Sequence, residues 1–240
     1  MSRWIMQPIK EWLKSPEVLA MKKQTMGQNM TVDFFRDPMR NTLWDPELIY
    51  APADGIVLYA LPKVLPGDFL EIKGKEFTLQ EMLSDKNYKE KSLVIGIFMT
   101  SFDVHVNRVP VSSYYLESRE KNQIYTHNIS MMIAENELFS EFHYDRKALS
   151  YLFCNEREVS VFYSPNLKGR YYIVQVGDKD IDVIQNWGEG FHLFQGERFG
   201  SIRWGSQVDL IIPLKKKKFK ILVKEMDHVQ AGIDAIAQII

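Results

Sequence analysis

The chain has 240 residues, enough for one large domain with a substantial core, or one domain with an appended segment. Its make-up is that of a globular protein, 45% apolar and 25% charged, and a net charge of −1 argues against a nucleic-acid partner, whose binders carry a basic excess. A single cysteine, Cys154, excludes an internal disulfide framework and suits a reducing cytosol; in "YLFCNER" it reads as a part-buried thiol.

The first forty residues read as helical and the remainder mostly as strands. Ile5, Ile9, Trp12 and Leu13 recur at helical spacing beside Lys10 and Lys14. Ser15-Pro16 reads as the N-cap and first residue of a second short helix running through Leu19 and Met21. This segment either packs on its own domain or, with Trp4 and Trp12 among lysines, lies at a lipid interface. It builds no signal-peptide core, and no stretch of the chain approaches the roughly 18 consecutive apolar residues of a membrane span.

From residue 50 onward, "GIVLYAL", "DFLEI", "LVIGIFM", "EVSVFY", "RYYIVQV", "KDIDVI", "VDLIIPL" and "FKILVKE" are strand-like runs divided by Gly, Pro and Asp turns. Only "TLQEMLSD" and "DRKALSYLF" look helical among them. The pattern predicts a mainly β (α+β) fold, an antiparallel barrel-like domain over 41–240 behind a short amphipathic helical segment over 1–40. "GDFLEI" and "MDHVQAGIDAIAQI" read as barrel-type hairpins.

Three places could carry chemistry. Asp54, in "APADG", sits in a tight turn that structural demands alone would explain. In "FDVHVNRVP", a strand would put Asp103, His105 and Asn107 on one face and Val104, Val106 and Arg108 on the other; a lone strand histidine is as readily structural as catalytic. The third is "ERFGSIRWGSQVDLIIP", with Gly-Ser pairs at 200–201 and 205–206. A serine hydroxyl can attack the carbonyl of its own preceding peptide bond, and elimination of the resulting ester leaves a pyruvoyl group on the downstream chain. Glycine before the serine tolerates the strained backbone this needs. The hydroxyl also needs a base, itself oriented by a carboxylate, and His105 and Asp54 could supply both. The five histidines show no metal-ligand pairing, so no metal is expected, and the usual cofactor signatures are absent.

Taken in order, "APADG", "LEIKGKEFTLQEML", "FDVHVNRVP", "LFCNER" and "ERFGSIRWGSQVDLIIP" with the following "DHVQAG" resemble the phosphatidylserine decarboxylase proenzyme family over most of residues 48 to 240. The family's long bacterial members read Asp-x-His-x-x-His-x-Pro and assign the second histidine to a triad. Arg108 stands there in this chain, as in the shorter branch that reads "DVHVNR", which leaves His105 as the base.

The resemblance implies autocatalytic scission at Gly205-Ser206 into chains of 1–205 and 206–240, with Gly200-Ser201 an ordinary turn. It implies Ser206, His105 and Asp54 as catalytic residues and a covalent pyruvoyl cofactor made from Ser206, with neither metal nor pyridoxal phosphate. That group would hold phosphatidylserine as a Schiff base and release carbon dioxide and phosphatidylethanolamine. The expected setting is cytoplasmic and peripheral to an anionic membrane. There Lys215, Lys216, Lys217, Lys218 and Lys220 either attract the leaflet or form a solvated turn. A homo-oligomer is left open, as are a sister decarboxylase with another amine-bearing substrate and a lipid-binding homologue that never processes.

Overall fold

The computed structural model describes residues 6–72, 75–121, 129–145, 149–179, 183–203 and 205–240. Six long strands carry the fold: β1 (Gly55–Val64), β2 (Ser92–Met99), β3 (Ser113–Lys121), β4 (Arg157–Ser164), β5 (Gly169–Val176) and β6 (Ser206–Pro213). They form one antiparallel sheet in the order β1-β2-β6-β5-β4-β3. Asp227–Val229 and Gln7–Pro8 extend it beyond β1, and His192–Leu193 beyond β3. Those two ends do not pair with each other, so the barrel-like antiparallel sheet that strand spacing suggested is not closed. The mainly β class holds.

The run "LVIGIFM" is apolar throughout because β2 is covered on both sides. Alternation sends Leu93, Ile95, Ile97 and Met99 into one core and Val94 and Phe98 into the other. The first core is closed by strands of two smaller sheets, through Ile49, Phe199, Ile202 and Ile236. The second is closed by short helices, through Ile9, Trp12, Val18, Leu79, Met82, Leu138 and Tyr151.

The N-terminal segment packs on its own domain. Ser15 caps the helix Pro16–Met21 by accepting from the Val18 amide at 3.3 Å, with Pro16 in the first turn. Ile9, Trp12 and Leu13 are buried, and Trp12 stacks on the His228 ring at 4.0 Å. These three side chains therefore give no lipid-facing surface; Trp4 and Ile5 lie outside the described residues.

Four further expectations change. Asp227–Val229 and Ala235–Ile239 join different sheets, so "MDHVQAGIDAIAQI" is a crossover and not a hairpin. The strand β3 and the helix Met132–Glu141 carry too many charged residues for their periodicity to show, and sequence reading missed both. The "DVHVNRV" strand is only Val106–Arg108, which leaves Asp103 and His105 in the turn before it. Gly200-Ser201 lies within the strand Arg198–Ile202, paired on both sides, rather than in a turn.

Gly96, midway along β2, lies under the Tyr59 ring, and a Cβ there would approach that ring to 2.4 Å. Tyr59 is itself hydrogen-bonded in the core and cannot swing away freely. Gly96→Ala should therefore cost about 1–3 kcal/mol by overpacking. A urea denaturation midpoint unchanged from wild type would show that Tyr59 yields without cost.

Candidate active site

The second Gly-Ser pair marks the passage from a small sheet into the middle of the main one. Gly205 has φ +45°, in the left-handed region, and a Cβ on it would meet the Asp178 Cβ at 2.5 Å. Only glycine fits this position without strain. Ser206 opens β6 opposite Met99, is fully buried, and its Oγ has no hydrogen-bond partner among the described residues. A buried hydroxyl left unpaired is costly and therefore informative.

The second unpaired group is on His105. Its Nδ1 lies 2.9 Å from the Asp103 carbonyl oxygen, which can only accept, so Nδ1 carries the proton and Nε2 presents its lone pair. That Nε2 is buried without a partner among the described residues. Phe34 stacks on the ring at 3.8 Å and fixes its plane. Burial pushes the imidazole pKa down to about 4 against the opposing pull of Asp103, so the ring is a neutral base at pH 7.

His105 and Gly205 line the same cavity of about 70 Å³, with Met99, Phe34, Glu135 and Asp178 among its other walls. Ser101 donates to Glu135 through both its amide and its hydroxyl, each at 2.7 Å. Burial nevertheless raises the Glu135 carboxyl, outweighing those bonds. Asp178 accepts from the Met131 amide at 2.8 Å and borders the Gly205 backbone.

Asp54 does not bond to His105. Its carboxylate takes a bidentate pair from Arg40 at 2.5 and 2.6 Å and the Ala231 amide at 2.8 Å. Burial alone would lower the Arg40 pKa; the hydrogen bond and charge of Asp54 more than reverse it. Asp54, which the sequence offered as the carboxylate orienting His105, instead forms a clasp that ties residues 40, 54 and 231 together. Asp54 acts on His105 only through space, as a favourable charge.

The carboxylate that does hold a histidine is Asp103. It accepts from His228 Nε2 at 2.7 Å and from the Thr100 amide and hydroxyl at 2.8 and 2.7 Å. Burial would raise its pKa, but the charge and hydrogen bond of His228, with those of Thr100, hold it below the ordinary carboxylate range. His228, Arg36, Arg40 and Asp54 border a second cavity of about 300 Å³. Arg108, in the place of the long members' second histidine, donates to the Gly196 carbonyl at 2.9 Å and to Asp37 and the Pro38 carbonyl at 3.3 Å. It anchors the 37–40 segment.

Arg40, Glu135, Asp178 and His228 are the site residues that sequence reading missed. His228 and Asp103 are 125 residues apart, a separation at which spacing carries no signal.

The residues around Ser206 fit a pyruvoyl group made there: an unpaired hydroxyl, a glycine in a conformation other residues resist, and a buried base lone pair on the neighbouring cavity. A family model for phosphatidylserine decarboxylase matches residues 28–237. A protein of Methanothermobacter thermautotrophicus named "Putative archaetidylserine decarboxylase proenzyme" is 31% identical over 86% of this chain and 79% of its own length. Phosphatidylserine decarboxylase proenzymes of Syntrophus aciditrophicus and Chlorobium limicola are 30% and 29% identical, covering 83% and 87% of this chain and 75% and 78% of their own lengths. With five ordered motifs and a match over most of its length, the chain belongs to the phosphatidylserine decarboxylase family.

Proposed function

We propose that the chain cuts itself between Gly205 and Ser206 and then decarboxylates a serine-headgroup phospholipid, phosphatidylserine, to the ethanolamine lipid and carbon dioxide. The observation that carries this is that two buried atoms of the site, Ser206 Oγ and His105 Nε2, have no hydrogen-bond partner among the described residues. In processing, His105 Nε2 takes the hydroxyl proton as Oγ attacks the Gly205 carbonyl carbon. The C–N bond breaks, the amide nitrogen gains a proton, and an ester joins Gly205 to the Ser206 side chain. Loss of the Ser206 Cα proton then breaks the Cβ–O bond. This frees the Gly205 carboxylate and leaves dehydroalanine, which water converts to a pyruvoyl group with release of ammonia.

The left-handed Gly205 supports this path because glycine holds without strain a backbone conformation that another residue before the serine would resist. Once formed, the pyruvoyl ketone supplies the electron sink for decarboxylation. Around it, His105, Glu135 and Asp178 are the polar groups that bind and move protons, while Phe34, Met99 and Met131 exclude water. Asp54 is a positioning residue that holds Arg40 and the 231 turn.

The substrate reaches this cavity from a membrane surface. Among the described residues no helix is long and apolar enough to cross a bilayer. Phe35 and Met132 stand exposed beside the cavity-lining Phe34 and Met131 and offer an apolar contact. The lysine run follows Pro213, at the far end of β6, about 23 Å from Ser206 at 3.3 Å per residue. Those lysines stand away from the reactive end, and Lys215 is paired with Glu90.

Intact-mass measurement of purified protein should give chains of 1–205 and 206–240. Ser206→Ala should stay whole and inactive, whereas Ser201→Ala should still split. A single full-length species from wild type would favour the non-processing alternative.

His105→Ala should slow scission by about 10²–10⁴-fold, the usual contribution of a positioned base. Because the neutral ring is the active form and its pKa lies at about 4, the scission rate should stay level from pH 8 to near pH 5 and fall as pH drops through 4. A fall centred on the ordinary histidine range, near 6.5, would place the base elsewhere.

Asp54→Asn should act mainly on stability, because it leaves Arg40 buried without its charge partner, at a cost of about 3–5 kcal/mol. Denaturant titration of the unprocessed Ser206→Ala background measures this directly. An unchanged midpoint would show that Arg40 finds another partner.

A further inference from the structure

Scission creates a difficulty that hydrogen bonding within the sheet does not fully resolve. Residue 206 becomes a chain start, and chain starts fray unless they are tied down. On the β2 side Ser206 pairs with Met99, but on the β5 side the ladder begins only at Gln207, opposite Val176. The reacting group would thus be held on one edge alone, just where a small displacement is most damaging.

The next residue is anchored by its side chain. Gln207 and Asp209 point into the helix-covered core, both fully buried. Tyr151 donates its hydroxyl to Gln207 Oε1 at 2.6 Å. Gln207 Nε2 donates to the Tyr59 hydroxyl at 2.7 Å and to Asp209 Oδ2 at 3.0 Å. The Tyr59 hydroxyl in turn donates to Asp209 Oδ1, and its ring rests on Gly96. Both the oxygen and the nitrogen of the Gln207 amide are thereby engaged. Two members of the network, Gln207 and Asp209, would belong to the small chain, and two, Tyr59 and Tyr151, to the large one.

We propose that Gln207 is a positioning residue, clamped by Tyr59, Tyr151 and Asp209, that keeps residue 206 in register after the bond before it is cut. This rests on the proposed scission at Gly205-Ser206. An apolar residue would bury as well, but it would leave the chain start free to slide along the groove. The amide fixes both its position and its rotation. Burial raises the Asp209 carboxyl, to about 7 even though its bonds with Tyr59 and Gln207 pull it toward the ionised form.

The test compares processed wild type with Gln207→Leu and the milder Tyr151→Phe. The mass of the small chain is read first. An uncut wild type fails the scission reading itself, before any variant is considered. With scission present in all three proteins, the clamp predicts a kcat lower by about 10- to 100-fold at a KM within two-fold. It also predicts faster amide hydrogen exchange confined to the first residues of the 206–213 strand. If Gln207→Leu does not fold, Tyr151→Phe decides, since it removes one hydroxyl and keeps the ring. Completely cut variants with wild-type kcat and wild-type exchange at the strand start would overturn the proposal.

Discussion

The structure depends on one placement: the bond to be cut lies at the entry to the central strand of a sheet buried on both faces. β6 is flanked by β2 and β5, and its apolar side chains feed both cores. A strand in that position cannot leave when its covalent link to the preceding chain is lost, because departure would expose both cores at once. The same burial leaves the Ser206 hydroxyl with no hydrogen-bond partner among the described residues, so the stability of the fold and the reactivity of the serine have one origin.

Electrostatics follow from the same enclosure. A histidine in water would be partly protonated near neutrality; His105, sealed under Phe34 and bonded through Nδ1 to a carbonyl, stays neutral with Nε2 free. The carboxylates divide the remaining work. Asp103 holds His228, Asp54 holds Arg40, and neither bonds directly to the base. A carboxylate hydrogen-bonded to His105 would raise its pKa and favour the protonated ring. The Asp103 carbonyl orients the ring, and its upward pull on the pKa is outweighed by burial. The Arg40–Asp54–Ala231 clasp and the Asp103–His228 pair also join the segment after residue 206 to the rest of the chain, so several buried polar contacts bridge the two expected products.

Much of this was legible in the sequence where the signal was local. β2, β4, β5 and β6 are contiguous β-branched or aromatic runs, Ser15-Pro16 marked a helix start, and "TLQEMLSD" looked helical where the structure has the helix Leu79–Met82, opened by a Thr78–Glu81 capping box. What failed was long-range. The charged face of β3 hid its strand, and the "DVHVNRV" alternation looked like a strand that the turn at Asp103 cuts short. Gly205 and Gly200 are indistinguishable as dipeptides with serine; only the chain path makes one left-handed and the other part of a ladder. Asp54 and His105 were both placed near the site by motif, but that Asp54 meets Arg40 and Asp103 meets His228 is a tertiary fact.

The central claim is that Ser206 becomes a carbonyl-bearing chain start. Borohydride reduction of purified protein, followed by mass analysis of the small chain, tests it most directly. The account predicts a chain beginning at residue 206 that lacks a free amino group and gains a pair of hydrogens on reduction. A small chain that begins with an ordinary serine, or that reduction leaves unchanged, would contradict it.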